Sequence, residues 1–205
     1  MSNGRKPIIV FEGPDGSGKT TQCDLLLNWL YSKNIEAVYA KARVKPTADY
    51  KFICTMEEKS SDFPKWIKAS LVAYERSKQL YSQLQANSEK IVILDKYIYS
   101  TELYLNYRGI DSSVPEKILS WLPAPDLIFY FDLHPTECMK RIKLRGKKLG
   151  NNENYEFLEI LTSDLPKKIK SSGVQMCTID ATMDSEVIHR IIVEETVQLL
   201  SRFKY

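Results

Sequence analysis

The sequence is poor in the residues that build metal centres and disulfide frameworks. It contains four cysteines and two histidines among 205 residues, and no two cysteines have the C-x-x-C spacing that is typical of zinc or redox motifs. The cysteines are Cys23, Cys54, Cys138 and Cys177. Because they are widely scattered, they favour reduced, mostly buried thiols in a cytoplasmic protein rather than a disulfide framework.

Long apolar runs and a strong charge imbalance are also missing. No stretch approaches the ~20 apolar residues of a membrane span, and the few apolar residues before Glu12 are too short for the core of a signal peptide. The formal net charge of +3 is too small to argue by itself for nucleic-acid or membrane binding. We therefore expect a cytoplasmic protein with neither nucleic acid nor membrane as a partner.

Hydrophobic residues make up 43% of the chain, which is enough for a folded domain with a substantial core. The apolar, β-rich runs that predict strands are Ile8–Phe11, Ala37–Ala40, Ile91–Leu94, Leu127–Phe131 and Met176–Ile179. Near-continuous apolarity indicates strands that are covered on both faces. The sequence therefore predicts a three-layer α/β fold, with a five-stranded parallel sheet and helices on both faces, in a single domain over residues 1–205.

Apolar residues spaced three and four apart predict helices between these strands. The first helix begins near Lys19, and the last covers roughly residues 185–202. A long helix over about residues 66–84 has one apolar stripe, which contains Trp66, Ala69, Ala73, Leu80 and Leu84. Ordinary packing explains the first and last of these helices, and we assign them no function.

Arg76 lies about 40° from the centre of the apolar stripe on the long helix. Burying an unpaired guanidinium is costly, so a partner is expected. The partner is either a carboxylate of the protein, such as Glu75 or Asp95, or a substrate phosphate. We favour the phosphate, because a guanidinium fork matches its oxygens.

The stretch between the first strand and the first helix carries the most informative motif, Gly13-x-x-x-x-Gly18-Lys19-Thr20, which is the P-loop pattern. Its glycines permit backbone angles at which several N–H groups face one anion, and the following helix adds its positive N-terminal end. Lys19 can reach the β- and γ-phosphates of ATP, and the Thr20 hydroxyl can ligate Mg²⁺. The residues assigned to ATP binding are Gly13, Asp15, Gly16, Ser17, Gly18, Lys19, Thr20 and Thr21.

The third predicted strand is followed by Asp95 and Lys96. A carboxylate at the carboxyl end of a parallel strand lies where α/β sheets bind their ligands. Asp95 is therefore a candidate catalytic residue that holds Mg²⁺ together with Thr20 or orients an acceptor phosphate. Lys96 is a candidate contact of that phosphate, and a solvated Asp-Lys pair is the alternative.

Six basic residues and no acidic residue occur between positions 140 and 148. A solvated helix face usually explains such a run. Here Gly146 and Gly150, in and just after the run, favour a hinged segment, and phosphoryl transfer requires cations over the migrating group. We predict a basic lid over about residues 141–155, with Arg141 and Arg145 as candidate catalytic residues beside Lys19, Asp15 and Asp95.

Together these motifs resemble the thymidylate kinase family of P-loop nucleoside monophosphate kinases over nearly the whole chain. The most specific stretch is Phe-Glu-Gly-Pro-Asp-Gly-Ser-Gly-Lys-Thr-Thr-Gln at residues 11–22. The resemblance implies a P-loop kinase fold, a homodimer, and contact of Asp15 with the 3′-hydroxyl of the acceptor sugar. The implied acceptor site contains Asp15, Arg43, Lys45, Val72, Arg76, Lys96, Ser100, Tyr104 and Tyr155.

Members of this family carry their catalytic arginine either inside the P-loop or in the lid. The P-loop position is Gly16 in this chain, whereas Arg141 and Arg145 lie in the predicted lid. The resemblance therefore implies that a lid arginine stabilises the transferring phosphoryl group.

The chain departs from the family pattern at the acceptor base. The phenylalanine that stacks on thymine is replaced by Val72, and a second aromatic residue by Ala42. The family arginine after Asp95 is Lys96, which keeps the charge but not the bidentate fork. Because stacking contributes about 1–3 kcal/mol per base, these departures leave the accepted base open, and the candidate substitutes for stacking are Tyr74, Tyr99 and Tyr104.

The expected activity is transfer of the ATP γ-phosphoryl group to a nucleoside monophosphate, in the first place dTMP. One alternative is a related kinase for another deoxynucleotide, a nucleoside or a small metabolite. The other is a nucleotide-binding homologue with weak catalysis.

Overall fold

The computed structural model describes residues 5–41, 62–146 and 154–203, together with residues 47, 48, 51, 52, 54 and 55. The strands are β1 (Ile8–Glu12), β2 (Ala37–Lys41), β3 (Ile91–Asp95), β4 (Leu127–Asp132) and β5 (Met176–Asp180). The helices are α1 (Lys19–Ser32), α2 (Lys65–Ala86), α3 (Tyr99–Tyr107), α4 (Ser113–Leu119), α5 (Pro135–Leu144), α6 (Tyr155–Ser171) and α7 (Ser185–Leu200).

The five strands form one parallel sheet in the order β2-β3-β1-β4-β5. Central strand β1 pairs with β3, where Phe11 lies opposite Asp95, and with β4, where Phe11 lies opposite Phe129. The chain runs from β1 outward to the edge strand β2 and then back through β3 and across β1 to β4 and β5. The helices that follow the neighbouring strands β1 and β3 therefore lie on opposite faces of the sheet. The place between these two strands, at their carboxyl ends, is where doubly wound sheets bind ligands.

The predicted strands and their parallel arrangement are confirmed, and each strand is one residue longer than the apolar run that predicted it. The additional residues are Glu12, Lys41, Asp95, Asp132 and Asp180. All five carry a charge and all five lie at the carboxyl ends of the strands. The apolar pattern ended one residue early because the backbone hydrogen bonds of the sheet include one more residue in each strand, whose side chain is already polar.

Two hydrophobic clusters cover the two faces of the sheet, as predicted for a three-layer fold. Ile9 and Phe11 point towards one cluster, to which α1, α5 and α7 contribute buried residues. Ile8 and Val10 point towards the other, to which α2, α3, α4 and α6 contribute. The alternation of β1 side chains between two apolar layers explains why its sequence is apolar throughout until Glu12.

The expectation for Trp66 was wrong. Ala73, Leu80 and Leu84 of α2 are buried in the predicted stripe, but the side chain of Trp66 is 49% exposed. The buried residues of α2 begin at Ala73, so the first two turns carry the helical period without the packing that the period predicts. The periodicity of a sequence shows which side of a helix is apolar, whereas burial also requires another element packed against the same turns of that helix.

The four cysteines are free, as expected. Cys23 and Cys138 are buried, whereas Cys54 and Cys177 are partly exposed. Within the described ranges, no helix has both the length and the apolar character needed to cross a membrane.

Candidate active site

The candidate site lies at the carboxyl edge of β1 and β3. β1 continues into the P-loop, and α1 begins at Lys19 after Gly18, which has a positive φ of 92°. In the described part of the chain, no side chain caps the first turn of this helix. Its backbone N–H groups therefore point into the loop, as an anion-binding helix N-terminus requires.

Lys19 is buried and closes the P-loop on itself. Its Nζ donates to the carbonyl of Pro14 at 2.6 Å and to the Ser17 hydroxyl at 3.2 Å. Burial, with the charge of Lys96 adding to it, lowers the pKa of Lys19 to about 8. A phosphate that meets this ammonium replaces the two oxygen acceptors and favours the charged form.

The two predicted magnesium ligands touch each other. The Thr20 hydroxyl donates to the Asp95 carboxylate at 2.6 Å. The same carboxylate oxygen accepts from the Tyr39 hydroxyl at 3.1 Å and lies 3.9 Å from the Lys41 ammonium. A hydroxyl and a carboxylate at this distance fit Mg²⁺, which takes one or two protein oxygens and completes its shell with phosphates and water. Among the described residues, no group of three or more His, Cys, Asp or Glu side chains could hold a metal alone.

Sequence reasoning missed the contributions of Tyr39 and Lys41. Both lie on β2, which pairs with β3 so that Lys41 is opposite Asp95. No local motif marks either residue. The only signal is the pairing of β2 with β3, which brings together residues more than 50 positions apart.

The Asp95–Lys96 dipeptide does not form the solvated pair that was its alternative interpretation. Asp95 turns towards Thr20, whereas the Lys96 ammonium forms an ion pair with Asp15 of the P-loop at 2.9 Å. Lys96 has a positive φ of 67°, which is uncommon for a residue with a long side chain. Burial works against ionisation of Asp15, but Lys96, Lys19 and Arg145 together hold its pKa below the usual value.

Glu12, whose role sequence reasoning also missed, is fully buried at the end of β1. Its Oε1 accepts from the Tyr97 N–H at 2.8 Å, and its Oε2 has no hydrogen-bond partner among the described residues. Burial raises the pKa of this carboxyl, and the Tyr97 N–H and the charges of Lys96, Arg76 and Lys19 oppose that shift. A carboxylate that ends an apolar strand directly before a P-loop is the signal that could have identified it.

Arg76 reaches from α2 to the segment after β3. Its guanidinium donates to the Thr101 hydroxyl at 2.9 Å and to the Tyr97 carbonyl. Burial lowers the pKa of this guanidinium, and the charge of Glu12 opposes the shift. The predicted alternative of a salt bridge with Glu75 or Asp95 is not found within the described residues.

The other predicted acceptor residues lie on α2, α3 and α6. Val72, Ser100 and Tyr104 are partly exposed, and Tyr155 is exposed at the start of α6. The Tyr104 ring packs edge-on against Phe157, with ring centres 5.6 Å apart.

Of the tyrosines considered as replacement stacking surfaces, Tyr99 is only 7% exposed, so its ring is not available to a base. Tyr74 is exposed on α2, and Tyr104 is partly exposed. Ala42, Arg43 and Lys45 lie outside the described residues.

The first residues of the basic run lie in the last part of α5. Arg141 lies in the last turn of α5 with its Nε 3.8 Å from Glu137, and Lys140 pairs with the same carboxylate at 3.0 Å. Arg145 follows the helix directly, and its charge contributes to the low pKa of Asp15. Residues 147–153 of the predicted lid lie outside the described residues.

Helix α5 packs against the P-loop at Gly16. This glycine has a φ of 86°, and a Cβ there would lie 2.9 Å from the Cys138 carbonyl and 3.3 Å from Ile142. Both the backbone angle and the space exclude a side chain. Gly16 therefore cannot be replaced by an arginine without moving the helix that leads to Arg141 and Arg145.

A P-loop after the central strand of a 2-3-1-4-5 parallel sheet, with a carboxylate on the next strand facing its threonine, defines a P-loop kinase fold. A family model described as thymidylate kinase matches residues 11–192. The chain belongs to the thymidylate kinase family, and it is therefore a kinase, a phosphotransferase.

Three relatives illustrate the similarity. The chain is 33% identical to a protein named probable thymidylate kinase from Methanosphaera stadtmanae, over 94% of this chain and 98% of the relative. It is 35% identical to a protein of the same name from Pyrococcus horikoshii, over 91% and 93%. It is 29% identical to a thymidylate kinase from Schizosaccharomyces pombe, over 93% and 91%.

The contact between α5 and the P-loop predicts the effect of a minimal substitution. Gly16→Ala should lower the free energy of unfolding by more than Gly109→Ala, because both glycines have a positive φ but only Gly16 also meets neighbouring atoms. The strained backbone costs of order 1–3 kcal/mol at either position, and the clash with the Cys138 carbonyl adds to it at Gly16. Chemical denaturation of the two variants measures the difference, and equal losses would contradict the packing described here.

Proposed function

We propose that this protein is a Mg²⁺-dependent thymidylate kinase, which transfers the γ-phosphoryl group of ATP to dTMP and releases ADP and dTDP. The observation that carries this proposal is a double connection between the P-loop and the segment after β3. Thr20 contacts Asp95 at 2.6 Å, and Asp15 pairs with Lys96 at 2.9 Å. The first contact supports a site for metal and donor phosphates, and the second supports an acceptor site beside it.

On the donor side, the backbone N–H groups of Gly13 and of residues 15–21 hold the ATP phosphates at the N-terminus of α1. Lys19 leaves the Pro14 carbonyl and the Ser17 hydroxyl to contact the β- and γ-phosphates. Thr20 and Asp95 would hold Mg²⁺, which when bound would neutralise negative charge on the ATP phosphates.

On the acceptor side, Lys96 and Arg76 face the dTMP phosphate and Asp15 accepts a hydrogen bond from the sugar 3′-hydroxyl. Ser100 and Tyr104 on α3, and Tyr155 on α6, line the nucleoside, with Val72 in the place of the family's stacking ring. The assignments of Arg43 and Lys45 to the acceptor phosphate stay predictions.

The chemistry is an in-line displacement. An oxygen of the dTMP phosphate forms a bond to the γ-phosphorus, the bond to the β–γ bridging oxygen breaks, and ADP leaves with the electron pair. The acceptor is already ionised at pH 7, so no strong general base is required, and positioning and charge stabilisation dominate. Arg145 supplies the positive charge over the transferring group, supported by its influence on Asp15 and by the exclusion of an arginine at Gly16.

The remaining assignments are a single domain over residues 1–205, a lid over about 141–155, a cytoplasmic location and a homodimer. The free cysteines support a reducing compartment. Exposed aromatic side chains on and near the α2–α4 layer support a protein interface, because such side chains are enriched at interface cores. They are Tyr74, Tyr81 and Trp121.

The proposed acceptor predicts a strong preference among monophosphates. With ATP and Mg²⁺, dTMP should give the highest kcat/KM in a panel of deoxynucleoside monophosphates, ribonucleoside monophosphates and nucleosides. A coupled assay of ADP release measures these values. If another monophosphate were preferred, the protein would still be a monophosphate kinase, but its acceptor would not be dTMP. Activity on a nucleoside alone, or ATP binding without turnover, would contradict the proposal.

The two arginines of the basic run should differ in effect. Arg145→Ala should lower kcat by about 10²–10³-fold, the scale of losing a charge that stabilises transferring phosphoryl groups. Arg141→Ala, which removes a side chain already placed beside Glu137, should retain most of the activity. The unfolding temperature of each variant is the control, and the reverse order of effects on kcat would assign the role to Arg141.

The low pKa of Lys19 predicts proton uptake on ATP binding. In the free protein the ammonium loses its proton as the pH rises through about 8, whereas bound phosphates favour the charged form. ATP affinity should therefore fall above this pH, and binding there should take up protons from the buffer. Calorimetry in buffers of different ionisation enthalpy measures the uptake, and Lys19→Arg, which keeps its charge, should abolish it.

A further inference from the structure

The end of β1 contains a charged group to which the reaction above assigns no role. Glu12 is the last residue of β1, its side chain is 0% exposed, and it precedes the first glycine of the P-loop. The four residues before it are all apolar. A carboxylate buried in this way is costly unless it is paired or hydrogen-bonded. Its contacts therefore indicate what it does.

Two side chains of opposite charge hold the backbone of Tyr97. The Glu12 carboxylate accepts from the Tyr97 N–H at 2.8 Å, and the Arg76 guanidinium donates to the Tyr97 carbonyl. Arg76 is held in turn by the Thr101 hydroxyl at 2.9 Å. Tyr97, the second residue after β3, is thus bound at its N–H and at its C=O by charged side chains from β1 and α2.

The residue before Tyr97 is Lys96, whose φ of 67° is unfavourable for a lysine. Two consecutive N–H groups maintain this turn. The Lys96 N–H donates to the Phe11 carbonyl at 2.9 Å, and the Tyr97 N–H donates to Glu12. Both acceptors are the final residues of β1, so the end of the central strand determines the direction in which the Lys96 side chain leaves the backbone.

That direction places the Lys96 ammonium 2.9 Å from Asp15 in the P-loop. Without the bond to Glu12, the Tyr97 N–H would be buried without its acceptor, and Lys96 could relax to a negative φ. The ammonium would then leave the P-loop.

We propose that Glu12 is a positioning residue for the phosphoryl acceptor, which acts through the Tyr97 N–H to hold Lys96 in the left-handed conformation that directs its ammonium at the acceptor site. This inference rests on the proposed function, since Lys96 is the assigned contact of the acceptor phosphate. Glu12 itself touches neither substrate. Its contribution is the geometry of the turn after β3.

Glu12→Met removes the acceptor of the Tyr97 N–H while retaining side-chain volume, and it should raise the dTMP KM about tenfold or more, the scale of losing a hydrogen bond to a charged group. The ATP KM should change less than about twofold on the same scale, because the donor groups lie on the P-loop. Glu12→Gln keeps an oxygen at this position, so its dTMP KM should lie between those of the wild type and Glu12→Met.

A matched control is Glu75→Gln, which alters the other buried glutamate of the described part of the chain. It should leave both KM values close to those of the wild type. The unfolding temperature of every variant is measured alongside. If the Glu12 variants changed the two KM values equally, or lowered the dTMP KM, the positioning role would be overturned.

A double-mutant cycle tests whether Glu12 acts through Lys96. In a Lys96→Ala background, Glu12→Met should change the dTMP KM less than about threefold, because the group that it positions is absent. The same fold-change in both backgrounds would overturn the inference. A wild-type protein without monophosphate kinase activity would instead refute the proposed function, so the two failures are distinguishable.

A readout that requires no activity is the amide resonance of Tyr97. An N–H bound to a carboxylate should show a downfield proton shift and slow hydrogen exchange in the wild type. Both should be lost in Glu12→Met and partly kept in Glu12→Gln. Unchanged exchange at Tyr97 in Glu12→Met would contradict the contact on which the inference depends.

Discussion

The parallel pairing of β1 with β3 is the constraint on which the candidate site depends. Because Phe11 lies opposite Asp95, the P-loop and the segment after β3 leave the sheet side by side. The ladder extends one residue further, where the Lys96 N–H donates to the Phe11 carbonyl, and the chain then turns towards Asp15. A shift of this register by one residue would move Asp95 to the opposite face of the sheet and separate it from Thr20.

Charge balance is the second consequence of this arrangement. Two of the cations proposed to meet phosphates are bonded to protein oxygens: Lys19 to Pro14 and Ser17, and Lys96 to Asp15. These contacts stabilise buried charges that would otherwise be costly. In the proposed reaction, the donor and acceptor phosphates would replace these oxygens as stronger acceptors, so substrate binding would exchange contacts within the protein for contacts to the substrates.

The architecture was largely predictable because its signals are local. Five apolar runs identified the five strands, and the glycine spacing identified the loop and the start of α1 and selected the candidate phosphate-binding residues. Trp66 shows the limit of this reasoning, since it has the correct helical period but lies on turns that precede the buried part of α2. Most acceptor residues were assigned by resemblance, whereas Arg76 was assigned from its place beside an apolar stripe. The bonds of Arg76 to Thr101 and Tyr97 could not be predicted from that pattern, because they depend on how α2 packs against the segment after β3.

The sequence by itself determined the fold class, the P-loop and the residue types available for phosphoryl transfer, because residue spacing encodes helical and strand periods and the conformational freedom of glycine. Only the tertiary structure decided the partners of those residues. Glu12 meets Tyr97 across 85 positions, Thr20 meets Asp95 across 75, and Tyr39 meets Asp95 across 56. Such contacts follow from the order and register of parallel strands, which depend on packing against both helical layers and leave no local pattern in the chain.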